Sequence, residues 1–283
     1  MSTTLPESDA TSDTTSDTTS DTTSDGTAFD VAGAQHAPVM VLIHGLGLCR
    51  RLWDDHLPAF AARYRVVRYD LYGHGDSAPP PQAPSLAVYA RQLGSLLDHI
   101  GVASAVIVGF SIGGMINRRF AMDYPNRVAA LVILNSPHDR GSAAQAAVEA
   151  RAASVRDEGR MATMDAALER WFTPAFRSTT PTALQLVRDW RQAAEPESYA
   201  GATMVLAVGV TELVRPHPPI SVPALVMTCA DDTGSTPAMS RAIAAEISGA
   251  ELLIINGYRH LGLVEDPAGF TAPILDFCER TDR

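Results

Sequence analysis

A chain of 283 residues that is 46% hydrophobic and 19% charged holds enough apolar material for a large core, which excludes wholesale disorder. Its formal net charge of −10 argues against nucleic acid or an anionic membrane as partner. All 22 basic residues are arginine, which excludes a lysine Schiff base, pyridoxal-phosphate chemistry and a lysine-bearing phosphate loop.

Residues 1–26 stand apart from the rest. TSD at 11–13 is followed by three TTSD repeats ending at Asp25, and Glu7, Asp9, Asp13, Asp17, Asp21 and Asp25 supply −6 of the charge. Such a segment buries too little apolar surface to offset its ordering entropy, so a disordered acidic tail over 1–26 is expected.

From Thr27 onward, short apolar runs alternate with helical patterns. VMVLIH (39–44), RVVRYD (65–70), SAVIVGF (104–110), VAALVILN (128–135), ALVMTC (224–229) and ELLIIN (251–256) read as strands. Near-continuous apolar runs suit parallel strands covered on both faces. Val88, Leu93, Leu96, Leu97 and Ile100 share one helical face, and so do Phe270, Ile274, Phe277 and Cys278. The alternation predicts an α/β fold with a doubly wound, mostly parallel sheet.

Between about Pro137 and Pro218 the alternation stops. Ala, Arg, Glu and Leu dominate, and Pro174, Pro181 and Pro196 divide the run into three or four helices. The expected organisation is a core of 27–137 and 217–283 with a helical insertion, 138–216, over the strand ends where ligands bind. Trp171, Phe172 and Trp190 are candidates either for lining a pocket there or for the insertion's own core.

Gly109-Phe110-Ser111-Ile112-Gly113 sits between a strand and a helical run. This is the G-x-S-x-G pattern in the context it requires. The turn strains the serine backbone and leaves no room for a Cβ two residues to either side. It raises the Ser111 hydroxyl above the sheet and presents the Ile112 N–H to a developing oxyanion. His44-Gly45-Leu46-Gly47 closes an earlier strand and places the Leu46 N–H as a second oxyanion donor. His44 itself is expected to pack behind that loop.

An attacking serine needs a base, and the base an orienting carboxylate. His260 follows the strand ELLIIN, and Asp231 and Asp232 follow ALVMTC. The order serine, acid, histidine, each just past a strand end, belongs to one hydrolase fold among the serine hydrolases. Asp232 is favoured because it opens the DTGST loop ahead of a helix start with Thr236 as cap and Pro237 first in the helix. His56, His99 and His217 read as surface positions. Cys49 and Cys229 read as small buried residues rather than nucleophiles. The three cysteines form no C-x-x-C pair, and no His, Asp or Glu spacing fits a metal site, so neither metal nor cofactor is expected. With no apolar run near the ~20 residues of a membrane span and no basic cluster leading an apolar stretch, a cytoplasmic location is expected.

Taken together, HGLG (44–47), YDLYGHGDS (69–77), GFSIGGM (109–115), YPNRVAALVILNS (124–136), VPALVMTCADDTGSTP (222–237) and RHLGLVEDP (259–267) resemble the α/β-hydrolase superfamily. GFSIGGM and the LNS ending are similar to the branch holding 3-oxoadipate enol-lactonases, small esterases and ring-cleavage-product hydrolases. The resemblance implies a Ser111–His260–Asp232 triad, no metal, and a helical cap. It implies hydrolysis of a small-molecule ester or lactone through an acyl-enzyme. The alternatives are carbon–carbon bond hydrolysis of a ring-cleavage product with the same triad, and a non-catalytic receptor on the same fold. The chain departs from the family in carrying Cys229 where glycine is usual and Arg259 before the histidine. The family's first two-strand hairpin is expected to be shortened, with only TAFDVAG ahead of the sheet.

Overall fold

The computed structural model describes residues 18–281. Its sheet is built from β1 (Thr19–Thr22), β2 (Ala28–Ala32), β3 (Val39–Ile43), β4 (Arg65–Tyr69), β5 (Ala105–Phe110), β6 (Val128–Leu134), β7 (Ala224–Cys229) and β8 (Glu251–Ile255). The spatial order is β1-β2-β4-β3-β5-β6-β7-β8. β1 pairs antiparallel with β2, and β2 with β4, while every pair from β4 to β8 is parallel. The six predicted strands fall on β3 to β8, as their continuous apolar runs require.

Side chains alternate across this sheet and build two cores. Val41, Ile43, Val67, Ile107, Leu131 and Val226 face one side. Met40, Leu42, Val66, Val108, Val132 and Met227 face the other. Helices α1 (Leu57–Ala61), α2 (Leu86–His99) and α3 (Ile112–Asp123) follow the first strands in turn. α2 and α3 cover the first face through Val88, Leu93, Leu96, Leu97, Met115, Ile116 and Phe120, and α1 covers the second through Phe60. Ser85 begins α2 by accepting the Val88 N–H at 3.2 Å, the usual service of an N-cap serine.

Between β6 and β7 lie five helices rather than three or four: α4 (Ser142–Glu158), α5 (Met164–Trp171), α6 (Pro174–Thr179), α7 (Pro181–Ala193) and α8 (Pro196–Val208). Proline heads α6, α7 and α8, where a missing N–H costs nothing. After β7 come α9 (Pro237–Glu246), α10 (Gly262–Glu265) and α11 (Pro267–Thr281). α11 buries Phe270, Ile274, Phe277 and Cys278 against the second face. Thr236 caps α9 by accepting the Met239 N–H, with Pro237 first in the helix, as expected.

The expectation of a disordered 1–26 is corrected for its last part; residues 1–17 lie outside the described residues. Thr19–Thr22 pair with Val31–Ala28 along the edge of the sheet. The Ser20 hydroxyl donates to Asp30 at 2.8 Å. Asp25 accepts from the Tyr72 hydroxyl at 2.8 Å and from Thr27 Oγ1 at 3.1 Å. The first hairpin is therefore complete, with β1 drawn from the acidic repeat. A sheet edge offers unpaired backbone N–H and C=O groups to any extended segment, whatever its side chains, so composition misses this strand.

Candidate active site

Ser111 sits between β5 and α3 at φ 58°, ψ −114° and is 6% exposed. Glycine neighbours are obligatory here. A Cβ on Gly109 would stand 2.2 Å from the Gly113 carbonyl oxygen, and one on Gly113 2.6 Å from that of Ile43. The strained turn is held from both sides. The Ser111 N–H donates to the Leu134 carbonyl at 2.8 Å, and the Ser136 hydroxyl donates to the Ser111 carbonyl at 2.9 Å. Arg118, buried in α3, donates to the carbonyls of Gly114 at 2.9 Å and Pro137 at 2.8 Å, tying the elbow helix to the end of β6. Burial pushes its guanidinium down to about 9.

His260 lies in the turn between β8 and α10. The Ser111 hydroxyl donates to its Nε2 at 3.2 Å, and its Nδ1 donates to Asp232 Oδ2 at 2.7 Å. The Leu261 N–H donates to the Trp171 carbonyl at 2.9 Å, and Arg259 reaches the Glu169 carbonyl, so this turn is clipped to the end of α5. The imidazole lies between Phe110 and Trp171, with ring centroids 5.0 and 6.2 Å away.

Asp232 is 3% exposed and fully engaged. Oδ2 also accepts from Asn135 Nδ2 at 2.9 Å, and Oδ1 accepts the Gly234 and Ser235 N–H groups at 2.8 and 2.9 Å. Burial alone would raise this carboxyl. The charge and hydrogen bond of His260, with Asn135 and the Ser235 amide, outweigh it and hold the group below the ordinary carboxylate range. Asp231 is exposed, its N–H bonded to the Tyr258 carbonyl at 3.2 Å.

Leu46 follows the end of β3 and, with Gly45, lines the same cavity as Ser111; Ile112 opens α3 immediately after the serine. His44 props this loop from below. It accepts the Leu71 N–H on Nε2 at 2.9 Å and donates from Nδ1 to the Gly45 carbonyl at 2.7 Å. Complete burial pushes His44 down to about 4, so it is a neutral strut, as expected. Asp70, past the end of β4, accepts the Arg50 N–H at 2.6 Å and pairs with its guanidinium, pinning the far end of the loop.

His99 and His217 lie at the surface, but His56 is 1% exposed. It accepts from Thr271 Oγ1 at 2.7 Å and donates to the Leu263 carbonyl at 3.1 Å. No local pattern marks a histidine that is buried by a helix more than 200 residues away. Cys49, Cys229 and Cys278 are buried and form no disulfide, and burial pushes Cys49 and Cys229 up to about 12. Of the aromatic candidates, Trp171 lines the cavity, whereas Phe172 and Trp190 pack into the core cluster on the second face.

Sequence reasoning missed Asn135 as a ligand of Asp232. Its φ of 45° at the end of β6 is one that asparagine adopts more readily than most residues, and the LNS ending of the strand carried that signal. It also missed the arginines over the serine. The cavity, about 200 Å³, is roofed by helices between β6 and β7 and lined by Arg140, Arg151, Arg170 and Arg191 together with Trp171 and Tyr199. Among the described residues no group of three or more His, Cys, Asp and Glu could hold a metal ion, and no helix is long and apolar enough to cross a membrane.

A mostly parallel sheet with a strained serine on a strand-to-helix turn and a carboxylate–imidazole pair beyond two other strand ends is a hydrolase architecture. The family model for the alpha/beta hydrolase fold matches residues 38–267, and the chain belongs to that family. It is 30% identical over 251 residues to 3-oxoadipate enol-lactonase 2 of Acinetobacter baylyi, spanning 86% of this chain and 92% of that protein. It is 26% identical over 222 residues to the (E)-2-((N-methylformamido)methylene)succinate hydrolase of the same bacterium, over 78% of this chain and 83% of the relative. The crystal structure of the enol-lactonase from Burkholderia xenovorans matches with a TM-score of 0.82 at 30% identity, covering 89% of this chain and 96% of that one.

Proposed function

We propose that the protein hydrolyses a carboxylic ester or lactone of a small molecule through an acyl-enzyme on Ser111. One observation carries the reading. The unbroken hydrogen-bonded chain from Ser111 through His260 to Asp232 lies at the carboxyl ends of β5, β8 and β7 and opens into a cavity.

Ser111 Oγ attacks the carbonyl carbon while His260 Nε2 takes its proton. The oxyanion of the tetrahedral intermediate is held by the Leu46 and Ile112 N–H groups. Collapse breaks the bond to the leaving alkoxide, which receives the proton from His260, and leaves an ester on Ser111. Water then attacks that ester with His260 as base, and the acid leaves as Ser111 regains its proton. Asp232 stays ionised throughout and holds the imidazole in the tautomer whose Nε2 accepts. A lactone differs only in that the leaving alkoxide stays tethered to the product.

The helices from α4 to α8 act as the cap that admits substrate, and a cavity of about 200 Å³ suits a small one. Three buried cysteines outside any disulfide accord with a reducing, cytoplasmic setting. The two relatives' names, 3-oxoadipate enol-lactonase 2 and (E)-2-((N-methylformamido)methylene)succinate hydrolase, support hydrolysis of a small molecule.

The test is covalent labelling by a fluorophosphonate together with turnover of a panel of esters, lactones and vinylogous diketones. Wild type should label at Ser111 and turn over esters or lactones. Ser111→Ala should keep its melting temperature, fail to label, and lose on the order of 10⁴–10⁶ in kcat. Activity of Ser111→Ala within tenfold of wild type would reject the reading, and turnover of the diketones alone would move the reaction to carbon–carbon cleavage.

A further inference from the structure

The cap carries positive charge that no ion pair among the described residues neutralises. The protein as a whole has a net charge of −10, yet the cavity is lined by Arg140, Arg151, Arg170 and Arg191 against one carboxylate, Asp232, which is already bonded to His260. Among the described residues no Asp or Glu lies within ion-pairing distance of any of these four arginines, although about half of the other described arginines have such a partner. Arg191 is 4% exposed, and its Nε is buried without a hydrogen-bond partner. Its remaining nitrogens meet Thr163 Oγ1 at 2.8 Å and the sulfur of Met164 at 3.5 Å, and the guanidinium, whose carbon stands 5.0 Å from the Tyr199 ring, also interacts with the neutral Tyr199 hydroxyl, so none of its partners carries a counter-charge. Desolvation and the neighbouring charges of Arg151 and Arg191 hold Arg170 below its ordinary value, so the three guanidiniums repel one another across the space they share.

The cluster also sits where a substrate's distal end would lie. A Cβ on Gly47 would come within 3.2 Å of Arg191 Cγ, so the stem of Arg191 rests on the loop that carries the Leu46 N–H. Its guanidinium is 6.0 Å from the Trp171 ring, which is in turn 6.2 Å from the His260 imidazole. One indole thus separates the cation from the base. A buried, unpaired cation is costly, and the cost is removed when an anion binds.

We propose that the substrate carries a second, non-reacting carboxylate, which Arg191, Arg170 and Arg151 bind while the scissile carbonyl lies at Ser111. This deepens the proposed ester or lactone hydrolysis and rests on it. Arg191 supplies the desolvated contact. Arg170 and Arg151, exposed on their outer sides, draw the anion in from solvent. With the second carboxylate on the acyl side, a half-ester and water give a dicarboxylate, an alcohol and a proton; with it on the alcohol side, the ester and water give a monocarboxylate, a hydroxy-carboxylate and a proton.

Two matched substrate pairs test this. Monomethyl glutarate against methyl pentanoate places the carboxylate, or the methyl group replacing it, on the acyl side. Carboxymethyl pentanoate against ethyl pentanoate places it on the alcohol side. In at least one pair the anionic member should have a kcat/KM roughly tenfold to hundredfold higher, the range of a charge-assisted hydrogen bond. That preference should shrink as salt rises. Arg170→Gln and Arg151→Gln, chosen because their exposure keeps the fold safe, should each lower the anionic-to-neutral ratio severalfold, and Arg191→Gln should lower it most. Ratios near or below one for wild type in both pairs, or ratios unmoved in all three variants, would overturn the carboxylate site. Fluorophosphonate labelling of Ser111 separates the two failures. A labelled enzyme that turns over neutral esters without preference loses only this inference, whereas an unlabelled, inactive one loses the proposed function as well.

Discussion

Around Ser111 the polar groups have buried protein partners, whereas the arginines of the helices above it face a cavity without counter-ions. α3, beneath the serine, buries nine of its twelve residues. α4, above it, buries only Ala152 and Val155 of seventeen. Asp232 accepts four hydrogen bonds, and the Ser111 carbonyl accepts one from Ser136. The floor therefore has its reacting geometry before a ligand arrives, which is what electrostatic stabilisation of a transition state requires. The roof leaves its charge available for a ligand, at the expense of its own stability. One region is built to hold still and the other to respond.

The harshest way to break this comparison is to weaken the floor at its acid. Asp232→Asn should lower kcat by roughly 10²–10⁴, because an amide favours the wrong imidazole tautomer. Asp231→Asn should cost tenfold or less. Steady-state kinetics on variants of equal melting temperature checks both, and the reverse ranking would hand the role to Asp231.

Local opening separates the regions more gently. Backbone amides of α4 should exchange with solvent at least a hundredfold faster than those of β5 and β6, since few buried contacts oppose opening of α4. Hydrogen exchange read by mass spectrometry measures this directly. Equal protection would mean that the roof is as rigid as the floor.

A smaller effect, confined to the core, appears in pH. Burial pushes His44, His56 and His74 down to about 4. A histidine ordinarily titrates near 6.5, so between those values the unfolded chain binds protons that the folded protein refuses. Stability is full above about 6.5 and falls as pH drops toward 4. Each histidine costs roughly 1–2 kcal/mol between pH 7 and 5. Urea unfolding at the two pH values should show that loss. His56→Gln, remote from the serine, should reduce it by about one third while losing some stability at pH 7. A pH-independent stability would mean that these imidazoles take up protons as readily in the fold as in the unfolded chain. The roof's arginines add nothing to this slope, because they stay charged throughout the range.

Much of the floor was legible in the amino-acid order because local rules govern it. β3 to β8 are buried on both faces, so each had to be written as a continuous apolar run. The serine's turn needs glycine at 109 and 113, which is why G-x-S-x-G survives as a readable string. Ser111, Asp232 and His260 each lie within five residues of the end of a parallel strand, so chain order placed them at one end of the sheet. The roof obeyed no such rule: its five helices were read as three or four, and its cationic cavity was invisible, because arginines scattered over residues 140–191 converge only once the helices pack.

What the sequence determined by itself was the set of segments with strong periodicity or special backbone demands, since those preferences act within a few residues. Tertiary structure alone decided the rest. It gave Asp232, which the DTGST loop already favoured over Asp231, its distant partners Asn135 and His260. It buried His56 under Thr271 and Leu263. It turned part of an acidic repeat into β1 through backbone pairing to which side-chain composition is indifferent. Each of these contacts joins residues far apart in the chain, or depends on a sheet edge that exists only after folding, so no window of sequence could contain them.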